Sequence, residues 1–358
     1  MITYSRSMPN PLPGRRSVLL AGLAGLAGCT IAPGASQLGG VASSPSASTA
    51  PSSEQPQAPV APSRGRWRTR VMTYNMLTSI RTATDFNPAV PLKDVELASR
   101  APVMARWITT AGPDIIGLQE NEANSPAELP IRALAPLLPE FTQVHPELEV
   151  PILFRDDAYS LSDAGTLLLS KKFYVRYLSW CWLTHKDSGG RFLVANTHLD
   201  PFQRLPEAHA RSAEVDLVLS KLRTLNPAWK APTVLLGDLN TRSDETRRVY
   251  RDALVKLPKA GLRNAAKVAA RDASRVPRAS SKNDFGTEID GRWRYRAIRT
   301  DAMTYDYAFV SPGITVRNWQ VVTGPGVRQI DGHPYFANGP VPSDHCPVQV
   351  ELSVTAEA

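Results

Sequence analysis

Six short clusters of acids, amides and histidines carry the reactive groups of this chain. They are Asn75, Gln119-Glu120, Asn196-Thr197-His198-Leu199-Asp200, Gly237-Asp238-Leu239-Asn240, Tyr305-Asp306-Tyr307 and Ser343-Asp344-His345. Asp238 and Asn240 stand one residue apart, so an extended backbone turns both side chains the same way. A carboxylate there can take a proton from water while the amide positions a phosphoryl oxygen. His345 can serve as base, acid or charge stabiliser near neutral pH. Its neighbour Asp344 points elsewhere in an extended segment and suits a metal or a water, so a more distant carboxylate must orient the ring. Asp306 is the candidate, because a lone acid inside the apolar run 305–310 is unfavourable unless paired. His198 supplies a second imidazole, able to protonate a leaving oxygen or to hydrogen-bond a phosphate. Glu120 offers the oxygen ligand that a hard cation such as Mg²⁺ prefers, and Asn75 could orient a phosphate or a metal-bound water. Taken singly, each of these residues reads as well as a turn residue, a solvated carboxylate or a satisfied histidine.

The clusters share a setting. Each lies at the end of an apolar, β-branched or aromatic run, and the runs 70–75, 114–120, 165–170, 192–198, 233–238, 305–310 and 346–352 read as strands. Residues 95–111 show helical spacing through Leu97, Ala101, Met104 and Trp107. Residues 206–222 read as an amphipathic helix opened by Pro206, and 265–273 are helix-like. Many strands with two or three helices, and no internal repeat, predict two packed sheets flanked by helices. Six polar clusters at six strand ends then converge on one edge.

In this order the clusters resemble the endonuclease/exonuclease/phosphatase (deoxyribonuclease I-like) superfamily, in the form of its bacterial secreted members. The resemblance spans about 71–352, essentially the whole folded part. It implies an α/β (α+β) four-layer αββα sandwich and a metal-dependent phosphoester hydrolase using Mg²⁺, with Mn²⁺ or another divalent cation as the alternative. By the same resemblance Glu120 binds the metal with Asn75 and Asp344 around it. Asp238 activates or orients the attacking water, with Asn240 beside it. His345, paired with Asp306, acts as base or stabilises the pentavalent phosphorus, and His198 contacts the phosphate or acts as acid. Two subgroups are disfavoured. Abasic-site endonucleases follow the metal Glu with Thr-Lys, where Asn121-Glu122 stands here, and the inositol-polyphosphate 5-phosphatases carry a Pro-Ser/Ala-Trp-Cys-Asp-Arg segment that 291–299 lacks.

The rest of the chain bears on address and substrate. Of 358 residues, the first sixty-odd do not read as folded protein. Arg15 and Arg16 precede an uncharged stretch, 18–27, that falls far short of the ~20 residues needed to span a bilayer. This reads as a signal peptide of twin-arginine type, and Leu26-Ala27-Gly28-Cys29 resembles a lipobox whose Cys29 would be acylated. Three domains are therefore expected: a leader at 1–29, a Ser/Pro/Ala-rich tether at 30–65 with too little apolar content to fold, and the catalytic domain at 66–358. The expected product is an exported monomer without a transmembrane helix, held by lipid on the outer face of the cytoplasmic membrane or released. Cys181 and Cys346 read as two buried, unpaired thiols. The formal charge is +8, and residues 251–299 alone hold 13 Lys/Arg against 5 Asp/Glu. Within that segment Arg292, Arg294 and Arg296 alternate with Trp293 and Tyr295, the arginine-plus-aromatic pattern of nucleic-acid binding. Anionic lipid headgroups would be attracted by the same charge. The leading reading is a nuclease or phosphodiesterase. A phospholipase-C, sphingomyelinase or phosphatase activity comes second, and a non-catalytic binding module third, disfavoured because Glu120, Asp238 and His345 are all present.

Overall fold

The computed structural model describes residues 65–81, 85–337 and 339–355. The expected leader with Arg15, Arg16 and Cys29, and the tether up to residue 64, lie outside the described residues. In chain order the main elements are β1 (Arg66–Asn75), α1 (Leu97–Ala111), β2 (Ile115–Gln119), β3 (Phe141–Val144), β4 (Ile152–Arg155), β5 (Tyr159–Ser170), β6 (Arg176–His185) and β7 (Arg191–His198). There follow α2 (Leu205–Leu225), β8 (Thr233–Asp238), α3 (Asp252–Lys259), β9 (Arg263–Asn264) and β10 (Arg271–Asp272). A hairpin of β11 (Gly286–Ile289) and β12 (Arg292–Tyr295) precedes β13 (Asp306–Val310) and β14 (Thr315–Val321). A second hairpin, β15 (Val327–Ile330) and β16 (His333–Phe336), precedes the last strand, β17 (Val348–Thr355).

Two large mixed sheets result, ordered β10-β14-β17-β1-β2-β4-β3 and β5-β6-β7-β8-β13-β9. Their central strands, such as β2, β8 and β13, are buried throughout because both faces are covered. Val71, Ile115, Val194, Val234, Leu236 and Ala308 meet in one core between the sheets. Met72, Tyr74, Ile116 and Leu118 point out of the first sheet onto Met104 and Ile108 of α1. Leu193, Ala195, Leu235 and Phe309 point out of the second onto Val215, Leu219 and Leu222 of α2 and Leu257 of α3. The layers are thus helix, sheet, sheet, helix. Burying each large side chain of this kind stabilises the fold by roughly 1.5–3 kcal/mol.

The inner face changes character along the strands. Asn75, Gln119, Asn196, His198, Asp238 and Asp306 keep the period of two that places Val71, Ile115, Val194, Leu236 and Ala308 between the sheets, yet they are polar and buried. β1 runs parallel to β2, and β7 parallel to β8, so four strand ends share one edge. β13 runs antiparallel to β8 with Asp306 opposite Asp238, and β17 runs antiparallel to β1. The starts of these two strands therefore reach the same edge. Close approach of the sheets there depends on small residues. A Cβ on Gly117 would stand 2.6 Å from Asn196 Oδ1 of the facing sheet, and within the second sheet one on Gly237 would stand 2.2 Å from the Thr197 carbonyl of the neighbouring strand.

Three element boundaries differ from the sequence reading. The helix-like run 265–273 is helical only at Ala265–Val268, after which Arg271–Asp272 joins the first sheet beside β14. Glu96, at ψ 130°, separates a short helix, Leu92–Val95, from α1. The last strand begins at Val348, because the Cys346 N–H is spent on the Ser281 carbonyl. Cys181 and Cys346 are buried and unpaired, as expected. No helix among the described residues is long and apolar enough to cross a membrane.

Candidate active site

Asp238 lies at the centre. β7 and β13 flank β8, so His198 and Asp306 are both its register partners. His345 arrives from the lead-in to β17, and its Nδ1 meets Asp306 Oδ2 at 2.9 Å. That dyad is the pairing expected from the sequence. Its Nε2 lies 3.8 Å from Asp238 Oδ2. On the other side, His198 Nε2 lies 3.8 Å from the same oxygen, and its Nδ1 is bonded to Glu149 Oε1. Two imidazoles, each backed by a buried carboxylate, thus face one carboxylate oxygen.

The two rings differ electrostatically. Burial pushes His345 down, but the Asp306 charge and hydrogen bond outweigh it and raise the ring to about 9. His345 is therefore a cation at neutral pH, a donor rather than a base. Burial and the neighbouring Arg176 both push His198 down, while Glu149 and Asp238 leave it raised overall. Asn240 Nδ2 donates to the Leu199 carbonyl at 2.8 Å and lies 2.9 Å from His198 Nε2. With the amide so oriented, Nε2 accepts and Nδ1 carries the proton toward Glu149.

Asn75, expected around the metal with Glu120, lies between Glu120 and Asp238. Its Oδ1 accepts from the Leu77 N–H at 3.0 Å, so its Nδ2 donates to Glu120 Oε1 at 3.0 Å and to Asp238 Oδ2 at 3.1 Å. It ties two carboxylates together instead of offering a ligand oxygen. Glu120 Oε2 accepts from the Thr78 N–H at 3.0 Å, and Asn240 N–H donates to Asp238 Oδ1 at 2.8 Å. Glu120 (φ 60°) and Asn240 (φ 46°) both sit in the left-handed region at strand exits. Asn adopts it readily, whereas Glu there is a conformation the surroundings must hold.

Asp344 is buried and its Oδ2 binds the Lys282 ammonium. Burial would raise its carboxyl, but Lys282 and His345 hold it well below the usual range. Burial would likewise discharge Lys282, but Asp344, Asp284 and Glu120 keep it charged. The field of Glu120 and Asp344 thus converges on one positive centre, and two hard carboxylates are the donor chemistry that a divalent cation accepts. Asp238, Asp306 and His345 also offer ligand atoms within 4.8 Å of one another. That trio suits proton handling better, since the ring nitrogen facing Asp306 is already bonded and the ring is cationic.

Four site residues carried no signal in the sequence. Glu149 lies in the loop between β3 and β4, and Arg176 starts β6, its Nη1 donating to Glu149 at 2.8 Å. Lys282 is one of many cations in a basic segment. Arg100, fully buried on α1, donates to the carbonyls of Met76 and Leu77 on one side and Pro342 on the other. It clamps the loop after Asn75 to the segment before Ser343. Apart from Arg100's place in a helix, no spacing marks them, because each is recruited across long sequence separation.

The 292–296 segment needs correction. Arg292 and Arg294 face solvent on β12, as the alternation predicts. Trp293 and Tyr295 instead pack against the inter-sheet core, their rings stacked on each other at 6.2 Å. Arg296 donates to the Phe336 carbonyl at 3.3 Å. The aromatics thus lean on the core and stay partly exposed, while the arginines alone face fully into solvent. The hairpin is nonetheless rooted at the site, because the Asn283 and Asp284 N–H groups donate to the Asp344 carbonyl at 2.7 and 2.9 Å.

Solved structures of the same architecture exist. An endonuclease/exonuclease/phosphatase family protein of Bacteroides thetaiotaomicron superposes with a TM-score of 0.62 at 23% identity, over 82% of this chain and 100% of that one. A mannosyl-6-phosphatase from the same species gives 0.59 at 22% identity, over 79% and 99%. D. rerio TDP2 complexed with a single-strand DNA product gives 0.53 at 14% identity, over 80% and 98%. No curated protein matches the chain significantly. The family model described as Endonuclease/Exonuclease/phosphatase family matches residues 72–345, from β1 to His345 itself. The chain is therefore a member of the endonuclease/exonuclease/phosphatase family of phosphoester hydrolases.

Proposed function

We propose that this protein is an exported, Mg²⁺-dependent phosphodiesterase that cleaves nucleic acid. The observation that carries the reaction is the convergence of His198 Nε2 and His345 Nε2 on one oxygen of Asp238, each at 3.8 Å. A phosphodiester needs a water deprotonated on one side of phosphorus and a leaving oxygen protonated on the other. Asp238, with Asn240 and Asn75 fixing its two oxygens, orients and deprotonates the water. The His345 cation donates to a phosphoryl oxygen and offsets the charge that builds in the transition state. His198, its ring fixed by Glu149 and its Nε2 accepting from the Asn240 amide, keeps Asn240 beside Asp238, and the proton that Asp238 takes from water returns through solvent to the leaving oxygen as the P–O bond breaks. Glu120 and Asp344 would hold the divalent cation, which supplies Lewis-acid polarisation of the phosphoryl group when bound.

Nucleic acid is favoured over other phosphoesters by the basic segment between Asp238 and Asp306 in sequence, whose β11–β12 hairpin is rooted at Asp344. The likeness in fold to a protein solved with a single-strand DNA product is consistent with this. The likeness to a mannosyl-6-phosphatase keeps a phosphomonoester as the second reading. Export with a lipid on Cys29 rests on the Arg15-Arg16 and Leu26–Cys29 motifs alone.

An activity panel tests the proposal. Full-length chain is offered plasmid, single-stranded DNA, RNA, sphingomyelin and a sugar monophosphate, each with Mg²⁺ or with chelator. Strand cleavage that chelator abolishes is expected. Turnover of lipid or monoester alone would overturn the substrate assignment.

A further inference from the structure

At the His198 side of the site the rim is aromatic. Tyr174 lies in the loop between β5 and β6, and Phe202 lies in the loop after His198. Their ring centroids are 6.2 Å apart, inclined by 48°. Both are exposed, Tyr174 by 40% and Phe202 by 38%. A contiguous exposed aromatic pair beside a reactive centre, unlike a single exposed ring, points to a binding surface.

Each ring is fixed to the catalytic machinery. The Arg176 guanidinium lies 4.9 Å from the Tyr174 centroid, and Arg176 also holds Glu149 behind His198. Phe202 has φ 70°, an uncommon conformation for a bulky residue. Buried Arg211 keeps it there by donating to the carbonyls of Asp200, Pro201 and Phe202. The next residue, Gln203, donates to the Asn240 carbonyl at 2.8 Å. Strain held in place by a buried cation, in a loop bonded to a catalytic residue, serves to present the ring outward. Arg204 stands 4.8 Å from the Phe202 centroid, and Lys172, two residues before Tyr174, lies 5.2 Å from the centroid of the neighbouring Phe173.

We propose that Tyr174 and Phe202 form a stacking platform for an unpaired base of a single-stranded nucleic acid next to the scissile phosphate, with Lys172 and Arg204 receiving flanking phosphates. This rests on the nucleic-acid reading above. The rings of Tyr174 and Phe202 are each more than half covered and flush with the rim, which suits a flat ring laid on them better than insertion into a bilayer. Stacked bases leave no face free in a duplex, so the strand must be single. Aromatic stacking of this kind is worth about 5- to 150-fold in affinity per base.

The test is binding without turnover. Full-length chain in chelator is titrated with a trinucleotide carrying 2-aminopurine, whose fluorescence is quenched on stacking. Quenching by the wild type is expected, with affinity at least about fivefold weaker in Tyr174→Ala and in Phe202→Ala. Tyr174→Phe and Phe202→Tyr should retain it, which separates the rings' role from a loop defect. With Mg²⁺ present, the alanine variants should raise KM for single-stranded DNA far more than they lower kcat. No quenching by wild type, or equal affinity in the alanine variants, overturns the platform. So does loss of binding to anionic vesicles alone, which would assign the patch to lipid. Quenching without cleavage of any strand would sink the proposed reaction while leaving the platform standing.

Discussion

His345 Nε2 approaches Asp238 Oδ2 to 3.8 Å while its Nδ1 is bonded to Asp306 at 2.9 Å. Asp238 and Asp306 are cross-strand partners on β8 and β13, so the sheet itself sets the distance between the carboxylate that handles water and the one that charges the imidazole. The ring bridges a relation that the backbone has already fixed.

Asp306→Asn removes the charge that holds His345 near 9. The ring's pKa should fall toward or below the ordinary histidine value, which an NMR titration of the ring protons reads directly. Hydrolysis should drop by about 10²–10⁴-fold, the range of one acid–base group. An unchanged ring titration would show that the dyad does not control His345.

Glu149→Gln tests the second dyad. It keeps an acceptor near His198 but leaves buried Arg176 short of its closest counter-charge. Activity should fall by roughly 10- to 100-fold, and stability by about 1–3 kcal/mol, because a buried charged hydrogen bond is lost while Glu122 and Asp200 still face Arg176. Replacing both partners, Glu149→Gln with Arg176→Met, should recover part of the stability but not the activity. Denaturant melts with paired kinetics separate the two effects.

Arg100→Leu leaves the carbonyls of Met76, Leu77, Val95 and Pro342 without their donor. The expected loss is about 2–5 kcal/mol. Hydrogen exchange should rise together in the loop after Asn75 and in the segment around Ser343. Protection that changes in only one of the two would show that Arg100 does not join them.

Glu214 gives a pH signature. Burial, with repulsion from Asp200, raises its carboxyl to about 7. A carboxyl whose folded pKa lies above its unfolded value binds more protons when folded, so stability falls as pH rises from the unfolded value near 4.5 to about 7. Glu214→Gln keeps an acceptor for the Asp200 N–H and cannot ionise. It should match wild type at pH 4 and exceed it by on the order of 2 kcal/mol at pH 8. A variant no more stable than wild type at pH 8 would contradict this.

The site was legible in the sequence to an uneven degree. Asp238, Asp306 and His198 could be read because each ends or begins a strand whose apolar period of two continues through it, and His345 because it closely precedes the last apolar run. The Asp306–His345 pair followed from the cost of a lone buried acid. Asn75 was placed beside Glu120 correctly, but its bridge to Asp238 was not read, because the direction of its amide is set by the Leu77 N–H. Glu149, Arg176 and Lys282 were hidden, since a loop acid and two ordinary cations become site residues only when the sheets close. Trp293 and Tyr295 misled for the converse reason. An alternation of arginine and aromatic in a strand puts one set in water and turns the other toward the core, and here the rings lie partly buried against it.

The central claim is that a carboxylate set between two dyad-held imidazoles hydrolyses phosphodiesters with a divalent cation. It is tested most directly by the initial rate of single-stranded DNA cleavage at pH 7 with Mg²⁺, compared between wild type and Asp238→Asn with matched thermal melts. The expected result is chelator-sensitive cleavage by wild type and a loss of at least about 10²-fold in the variant. Cleavage by Asp238→Asn at the wild-type rate would contradict the account.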